Sequence, residues 1–267
     1  MLAFAANSLL CRAALEHGLI DPASFATIRL VSGAVVLTVL ARRHRSTIKA
    51  QGHTDWLAAS MLFAYVALFS FAYVSLSAGT GALILFSAVQ LAMFVSGLRA
   101  GERFSAIEWL GLGVAIAGLV YLVSPGVTAP APLGAAAMAA AGVAWGVYSL
   151  RGRRAGDPLM LSAAHFARAA PMAIALNLIL WPQAHAQVSG IWLAIASGAM
   201  TSGLGYVVWY AALKGLSAMR AATVQLSVPP VAAIGGVWLL SEALDVRLVV
   251  ASFAILGGIA LALTSRR

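Results

Sequence analysis

The chain has 267 residues, 62% of them hydrophobic and only 9% charged, with a mean hydropathy of +0.93. A soluble domain carries about 25% charged residues, so this composition excludes a water-dissolved globule and calls for membrane helices of ~20 apolar residues each. One cysteine, Cys11, excludes a disulfide framework and a thiolate metal site, and a formal charge of +9 must be explained by where the basic residues fall.

Apolar runs between turn signals predict an all-α integral membrane protein of ten helices. They lie near residues 1–15, 23–41, 56–77, 80–99, 105–123, 132–150, 158–181, 190–212, 219–240 and 246–264. The connections carry Gly, Pro, Asp or Arg clusters, among them GLIDP at 18–22, SPGVTAPAP at 124–132, GDP at 156–158 and WPQ at 181–183. The first span is short: its 15 residues rise about 22 Å against a hydrocarbon core of ~30 Å. Either Met1 is a late start or the first helix is partly lost. Met1 leads straight into an apolar run, so no cleavable signal peptide is expected.

The basic residues sort by side. Arg42, Arg43, Arg45 and Lys49, then Arg99 and Arg103, then Arg151, Arg153 and Arg154, then Lys214 and Arg220, and finally Arg266 and Arg267 make 13 of the 17 Lys and Arg. The opposite loops hold only Arg12 and Arg247, near their edges. Cytoplasmic loops retain Lys and Arg, so the chain is expected in the bacterial inner membrane with both termini cytoplasmic. The basic balance is topology, and no nucleic-acid partner is expected. Trp56, Trp109, Trp181, Trp192 and Trp238 fall near helix ends, where indoles favour the interface.

The chain repeats itself. Trp56-Leu57-Ala58 recurs as Trp192-Leu193-Ala194, and Asp21-Pro22 as Asp157-Pro158, at an offset of 136. Further on the offset becomes 140: Ser77-Ala78 with Ser217-Ala218, Ser87 with Ser227, Glu102 with Glu242, Gly118 with Gly258. Five helices separate equivalent points, and five is odd, so the second half must cross the membrane upside down. The charges agree: RRHRSTIK at 42–49 corresponds to PQAHAQVSG at 182–190, and Arg99 and Arg103 to Leu239 and Ala243, while the glutamate is kept. The domains are then 1–123 and an inverted 132–264, joined by a linker at 124–131. Inverted repeats of this kind are a device of secondary transporters.

Four segments carry a family resemblance: FAYVSLSAGTGALILFSAVQ (71–90), GERFSAIEWLGLGVAIAGLVYLV (101–123), VAWGVYS (143–149) and QLSVPPVAAIGGVWLLSEAL (225–244). Together with Glu102 and Glu242, each before a Gly-rich fifth helix, they resemble the EamA family of the drug/metabolite transporter superfamily over essentially the whole chain. The resemblance implies a ten-helix exporter of small metabolites, with relatives among amino-acid exporters. The truncated first helix, and Gln90 where the second half has Pro230, depart from the pattern and leave the substrate open.

An ionisable residue at bilayer depth costs about 2.5–3.5 kcal/mol on insertion scales, so it usually faces a cavity or partner. Arg29 and Arg168 follow the two Asp-Pro starts and are approximate repeat mates. Each reads either as a cationic anchor for a substrate carboxylate or as a structural arginine tying helix ends, the structural reading being favoured for Arg29, which lies nearer an end. His165, one turn before Arg168, is the histidine at depth; it is a proton carrier or a packed polar residue. Gln90 sits midway along the fourth helix, and Gln225 lies near Pro229-Pro230, where two missing N–H donors should kink or break the ninth. The 225–230 neighbourhood is a candidate cavity wall. Asn7 and Ser8 correspond to Tyr148 and Ser149 and suit a central site or interhelical hydrogen bonding. Tyr65, Tyr73, Trp145, Tyr148, Tyr206, Trp209 and Tyr210 are rings at depth that stack on a substrate or simply pack. The Gly203–Gly205 pair is a packing site or a hinge.

All eight carboxylates fall in loops or at helix ends, which argues against export of organic cations. No nucleophile–base pair, phosphate loop or HExxH is present, so neither an enzyme, a cofactor nor a metal is expected. The reading is a secondary transporter, monomer or homodimer, that exports amino acids or similar neutral, zwitterionic or anionic solutes by alternating access. The alternatives are a multidrug or cation exporter of the same superfamily and a non-transporting membrane scaffold.

Overall fold

A computed structural model describes residues 1–43, 55–101, 104–152, 157–213 and 224–264. Glu102, His44, His53 and the basic residues Arg45, Lys49, Arg103, Arg153, Arg154, Lys214, Arg220, Arg266 and Arg267 lie outside them.

Among the described residues ten longer helices follow in order: α1 (Leu2–Glu16), α2 (Pro22–Arg43), α3 (Trp56–Tyr73), α4 (Ala78–Arg99), α5 (Ala106–Val123), α6 (Pro132–Gly152), α7 (Pro158–Ile179), α8 (Val188–Leu213), α9 (Val228–Leu240) and α10 (Val246–Thr264). Eight of them, α2 to α8 and α10, are long and apolar enough to cross a membrane. Stripes such as Leu110, Val120, Val250 and Phe253 on α5 and α10 are exposed, which water would not tolerate and lipid does.

Local chemistry sets the ends. Asp21 accepts from the Ser24 amide at 2.9 Å and Asp157 from those of Leu159 and Met160 at 2.9 and 3.2 Å. The repeated Asp-Pro is thus a helix start twice over, a capping carboxylate followed by a residue whose missing N–H is not needed there. Ser77 caps α4 at Thr80, so α3 stops at Tyr73 rather than running to 77. Ser105 and Glu108 close a capping box on α5. The ninth helix begins at Val228, behind a turn at 226–227 that separates it from helical residues 224–225, as two prolines at its start require.

α2 and α7 run antiparallel, with Thr27 bonded to the Ala173 carbonyl at 2.9 Å and Asn177 to Ser24 at 2.9 Å. α5 and α10 also run antiparallel, in backbone contact: a Cβ on Gly258 would meet the Gly111 carbonyl oxygen and the Ala115 amide, and one on Gly111 the Gly258 carbonyl. Lipid offers no hydrophobic drive for helix association, so this close approach is what holds α10. Gly258→Leu should therefore separate α5 from α10 and lower the melting temperature in detergent by several degrees, whereas Gly257→Leu, which meets open space, should leave it within a degree.

One end of the bundle, where α1, α3, α5, α7 and α9 finish, is tied by polar contacts. Arg12 bonds Glu242 at 3.2 Å and Glu16 at 2.8 Å; Asp21 accepts from the His185 amide at 3.0 Å; Arg247 reaches the Ser124 carbonyl at 2.8 Å. The other end carries Arg42, Arg43, Arg99 and Arg151, and there Arg151 meets Asp55 at 2.7 Å. Partial burial alone would raise the Asp55 carboxyl, but the Arg151 hydrogen bond and the Ala58 amide outweigh it and hold its pKa below the ordinary value. A depressed carboxyl stabilises the fold above its unfolded pKa and loses that contribution as pH falls through the folded one. Asp55→Asn keeps the cap and removes only the ion pair, so wild type should melt slightly above the variant at pH 6. The gap should close as both are melted at progressively lower pH.

Candidate functional site

Arg29 lies seven residues into α2, completely buried. Its Nε donates to the Ser202 hydroxyl at 2.9 Å, and one terminal nitrogen donates to the hydroxyls of Tyr65 and Tyr206 at 3.2 and 3.3 Å. The guanidinium also sits over the rings of Phe69 and Tyr65, 4.9 and 5.4 Å from their centroids. These partners are neutral; among the described residues no carboxylate pairs with this cation, and its other terminal nitrogen has no hydrogen-bond partner.

Ser202 is delivered by an irregularity. Residues Ser197–Leu204 of α8 form a π-helical stretch, whose wider turn brings positions four and five apart onto one side. Ser197, Thr201 and Ser202 all donate to the Asn7 side-chain oxygen, at 2.8, 2.5 and 3.2 Å. Gly198 permits this: a Cβ there would strike the Arg29 carbonyl and the Ser32 hydroxyl. The glycines 203 and 205 flank the end of this stretch.

Rings wall the site. Phe4 packs edge-on against Trp145, Trp209 and Tyr206 at 5.4, 5.6 and 5.9 Å, and Trp145 lies 4.8 Å from Tyr206 and 5.0 Å from Tyr65. The indole nitrogens of Trp145 and Trp209 and the Asn7 amide nitrogen are buried without partners, as is the free Arg29 nitrogen. All four are donors. An orphaned buried donor costs about 1–3 kcal/mol, and a group of four with a cation among them matches an acceptor-only anion such as a carboxylate.

Of the residues singled out from sequence, Asn7, Arg29, Trp145 and Tyr206 meet here. Tyr148 and Tyr210 continue the ring chain, Tyr148 at 6.4 Å from Tyr206 and 5.8 Å from Tyr210, and His165 packs on Tyr148 at 5.5 Å. Tyr73 packs edge-on against Phe69 at 4.7 Å, its hydroxyl turned to the tied end and bonded to the Ala78 carbonyl at 3.3 Å. Gln90 and Gln225 are buried in the bundle. Pro229 and Pro230 open α9. Arg168 is not brought into this cluster: it is half-buried, bonds its own helix at the Ala164 carbonyl, and lies over the exposed Trp56 ring. In the Asp-Pro register the residue matching Arg29 is His165, each eight positions after its aspartate. Of the two arginines it is Arg29, the one nearer a helix end, that the fold encloses. Phe4, Tyr65, Phe69, Ser197, Thr201 and Ser202 complete the site. The spacing of hydroxyls at 197, 201 and 202 between glycines is the signal that marks the last three in the sequence.

The model of the EamA-like transporter family matches residues 1–124 and 132–264. The uncharacterized protein PA1977 of Pseudomonas aeruginosa is 51% identical over 267 residues, covering 100% of this chain and 92% of that one. The uncharacterized transporter YoaV of Bacillus subtilis is 21% identical over 252 residues, 90% of this chain and 86% of its own length. A crystal structure of a protein, 23% identical, superposes with a TM-score of 0.72 over 100% of this chain and 96% of that one, a likeness of fold. With membrane-spanning helices and a family match over nearly its whole length, the chain is an integral membrane protein and belongs to the EamA-like transporter family.

Proposed function

We propose that this transporter exports small carboxylate-bearing metabolites, amino acids or similar solutes, with Arg29 as the anion anchor. The observation that carries the reading is an unpaired Arg29 cation together with three further orphaned donors, on Asn7, Trp145 and Trp209. A solute carboxylate supplies the missing acceptors in one step, and the rings of Phe4, Tyr65, Trp145 and Tyr206 suit its apolar body. Among the described residues the carboxylates Glu16, Asp21, Asp55, Glu108, Asp157, Glu242 and Asp245 lie at helix ends or in turns, which disfavours an organic cation as cargo.

Movement follows from two inverted halves, 1–123 and 132–264, rocking about this site. The antiparallel contacts of α2 with α7 and α5 with α10, each a pair of equivalent helices, support that arrangement. The arginine-bearing end faces the cytoplasm of the inner membrane, so the tied end closes the outer side.

Proteoliposomes test this. Loaded with N-acetyl-leucine or L-leucine, vesicles holding the full chain should release solute faster than protein-free vesicles. N-acetyl-leucinamide, the same shape without the negative charge, should stay behind. Release of the amide as fast as the acid overturns the reading.

A further inference from the structure

His165 is buried on α7, and its Nδ1 has no hydrogen-bond partner. Two more orphaned polar atoms belong to the same helix faces: the hydroxyl of Ser162, one turn earlier, and that of Ser149, next to the Tyr148 on which His165 packs. In the tautomer that carries its hydrogen on Nε2, an Nδ1 without a partner is a vacant proton site, because its lone pair accepts a proton without first breaking a hydrogen bond.

Its position relative to Arg29 gives that vacancy a role. The antiparallel register of α2 and α7, with Thr27 beside Ala173 and Asn177 beside Ser24, sets His165 about six residues, roughly 9 Å, along the pair from Arg29. Arg29 lies seven residues from the tied end and His165 seven from the arginine-bearing end. Between them runs one chain of contacts: Arg29 to Tyr206 at 3.3 Å, Tyr206 to Tyr148 at 6.4 Å, Tyr148 to His165 at 5.5 Å.

We propose that His165 binds a proton when an anion occupies Arg29, so that this chain carries a carboxylate solute and a proton together. The proposal rests on the reading of Arg29 as the carboxylate anchor. The step is simple protonation: the imidazole lone pair takes a proton from water, and no other bond changes.

The sign comes from the charges facing His165. Asp55 at the start of α3, Arg168 on its own helix and Arg151 on α6 act on it directly, and Arg29 on α2 stands farther off, behind the neutral phenols Tyr148, Tyr206 and Tyr210. Asp55 and Arg151 are paired with each other, which leaves two uncompensated cations. An imidazolium beside an empty site would be a third positive charge in low dielectric. A carboxylate on Arg29 removes one of the two repulsions, worth roughly tenfold in proton affinity at a separation near 10 Å. By linkage the proton tightens anion binding by the same factor.

Calorimetric titration of the full chain in detergent micelles with N-acetyl-leucine at pH 8 and pH 5.5 tests this. The anion keeps one charge state across that range. Affinity should tighten about tenfold toward pH 5.5. Repeating the titration in two buffers of different ionisation enthalpy should show proton uptake of up to one per anion. His165→Gln and His165→Asn should bind with equal affinity at both pH values and take up no proton. Wild-type affinity independent of pH with no proton uptake overturns the role of His165 and leaves the anion anchor standing, as does a pH slope that survives in both variants. The buffer comparison needs only wild type, so it decides the matter even where the variants do not fold. Absence of anion binding at either pH overturns the carboxylate reading itself and the coupling with it.

Discussion

Arg29→Met should abolish export of N-acetyl-leucine without lowering the melting temperature of the protein. Loss of binding follows from the chemistry of the site: each charge-assisted hydrogen bond to the guanidinium is worth about 1.5–3 kcal/mol, a factor of 10 to 150 in affinity. Stability should behave differently. Arg29 is completely buried with hydroxyls and rings for neighbours and no described carboxylate, so it carries a desolvation penalty of several kcal/mol that nothing of opposite charge offsets. An unbranched apolar side chain of similar length removes that penalty. The groups left behind keep partners: Ser202 still donates to Asn7 at 3.2 Å, and the Tyr65 and Tyr206 hydroxyls lie within reach of each other. Arg29→Lys should keep part of the export, having the charge but not the two-pronged geometry. A structural arginine tying helices would give the opposite pattern, a fall of several degrees in Arg29→Met with transport reduced only in proportion to folded protein. Thermal melting beside vesicle efflux separates the two.

Apolar runs and turn chemistry suffice to place the helices, because lipid forces every spanning segment to satisfy its own backbone and leaves few alternatives. The caps were legible for the same reason: Asp21-Pro22 and Asp157-Pro158 are read locally, and their register then pairs Arg29 with His165. What depends on neighbours was not. Distance from a helix end ranks Arg168 as the deeper cation, yet α7 turns it toward the Trp56 ring, where its long stem reaches the edge of the bundle. Arg29, nearer an end, is enclosed because α3 and α8 wrap it with Tyr65, Phe69 and Tyr206. The π stretch of α8 leaves no trace in hydropathy; it exists because Gly198 meets the α2 backbone and shifts the hydroxyls behind it by a residue. The Gly203–Gly205 pair reads as a packing site or a hinge from sequence, and the consequence of the stretch it ends appears only once Asn7 and Arg29 are known to lie opposite.

Glu242→Gln should lower the melting temperature by roughly 4–8 °C, the largest fall expected of any isosteric change at the tied end. Glu242 belongs to the turn after α9, where Ser241 takes a left-handed backbone with φ 56° and the Glu242 amide closes onto the Gly236 carbonyl at 3.1 Å. Gly236 leaves the space in which the carboxylate then lies. From there it accepts the Ala78 amide at 2.9 Å, one of the unpaired donors at the start of α4, and the Arg12 Nε at 3.2 Å. Arg12 in turn bonds the carbonyls of Tyr73 and Val74 at 3.1 and 3.2 Å. One carboxylate thus joins α1, α3 and α4 to the turn between α9 and α10. Its side chain is 10% exposed and that of Arg12 13%, so water screens the pair little. Removing one partner of such a pair costs about 2 kcal/mol, and a chain of this size loses roughly 2–4 °C per kcal/mol. Replacing both, in Arg12→Met with Glu242→Gln, should cost less than the sum of the single changes by about 1 kcal/mol, since both remove the same Arg12–Glu242 contact and the Glu16 carboxylate that Arg12 leaves behind is 28% exposed and meets water. On the proposed export cycle this end opens to release solute, so the same substitution should favour the released state. A cysteine placed at Ser75, beside Gly134 of α6, should react faster with a membrane-impermeant maleimide in the Glu242→Gln background. Equal labelling rates together with an unshifted melting temperature would show that Glu242 does not hold this end closed.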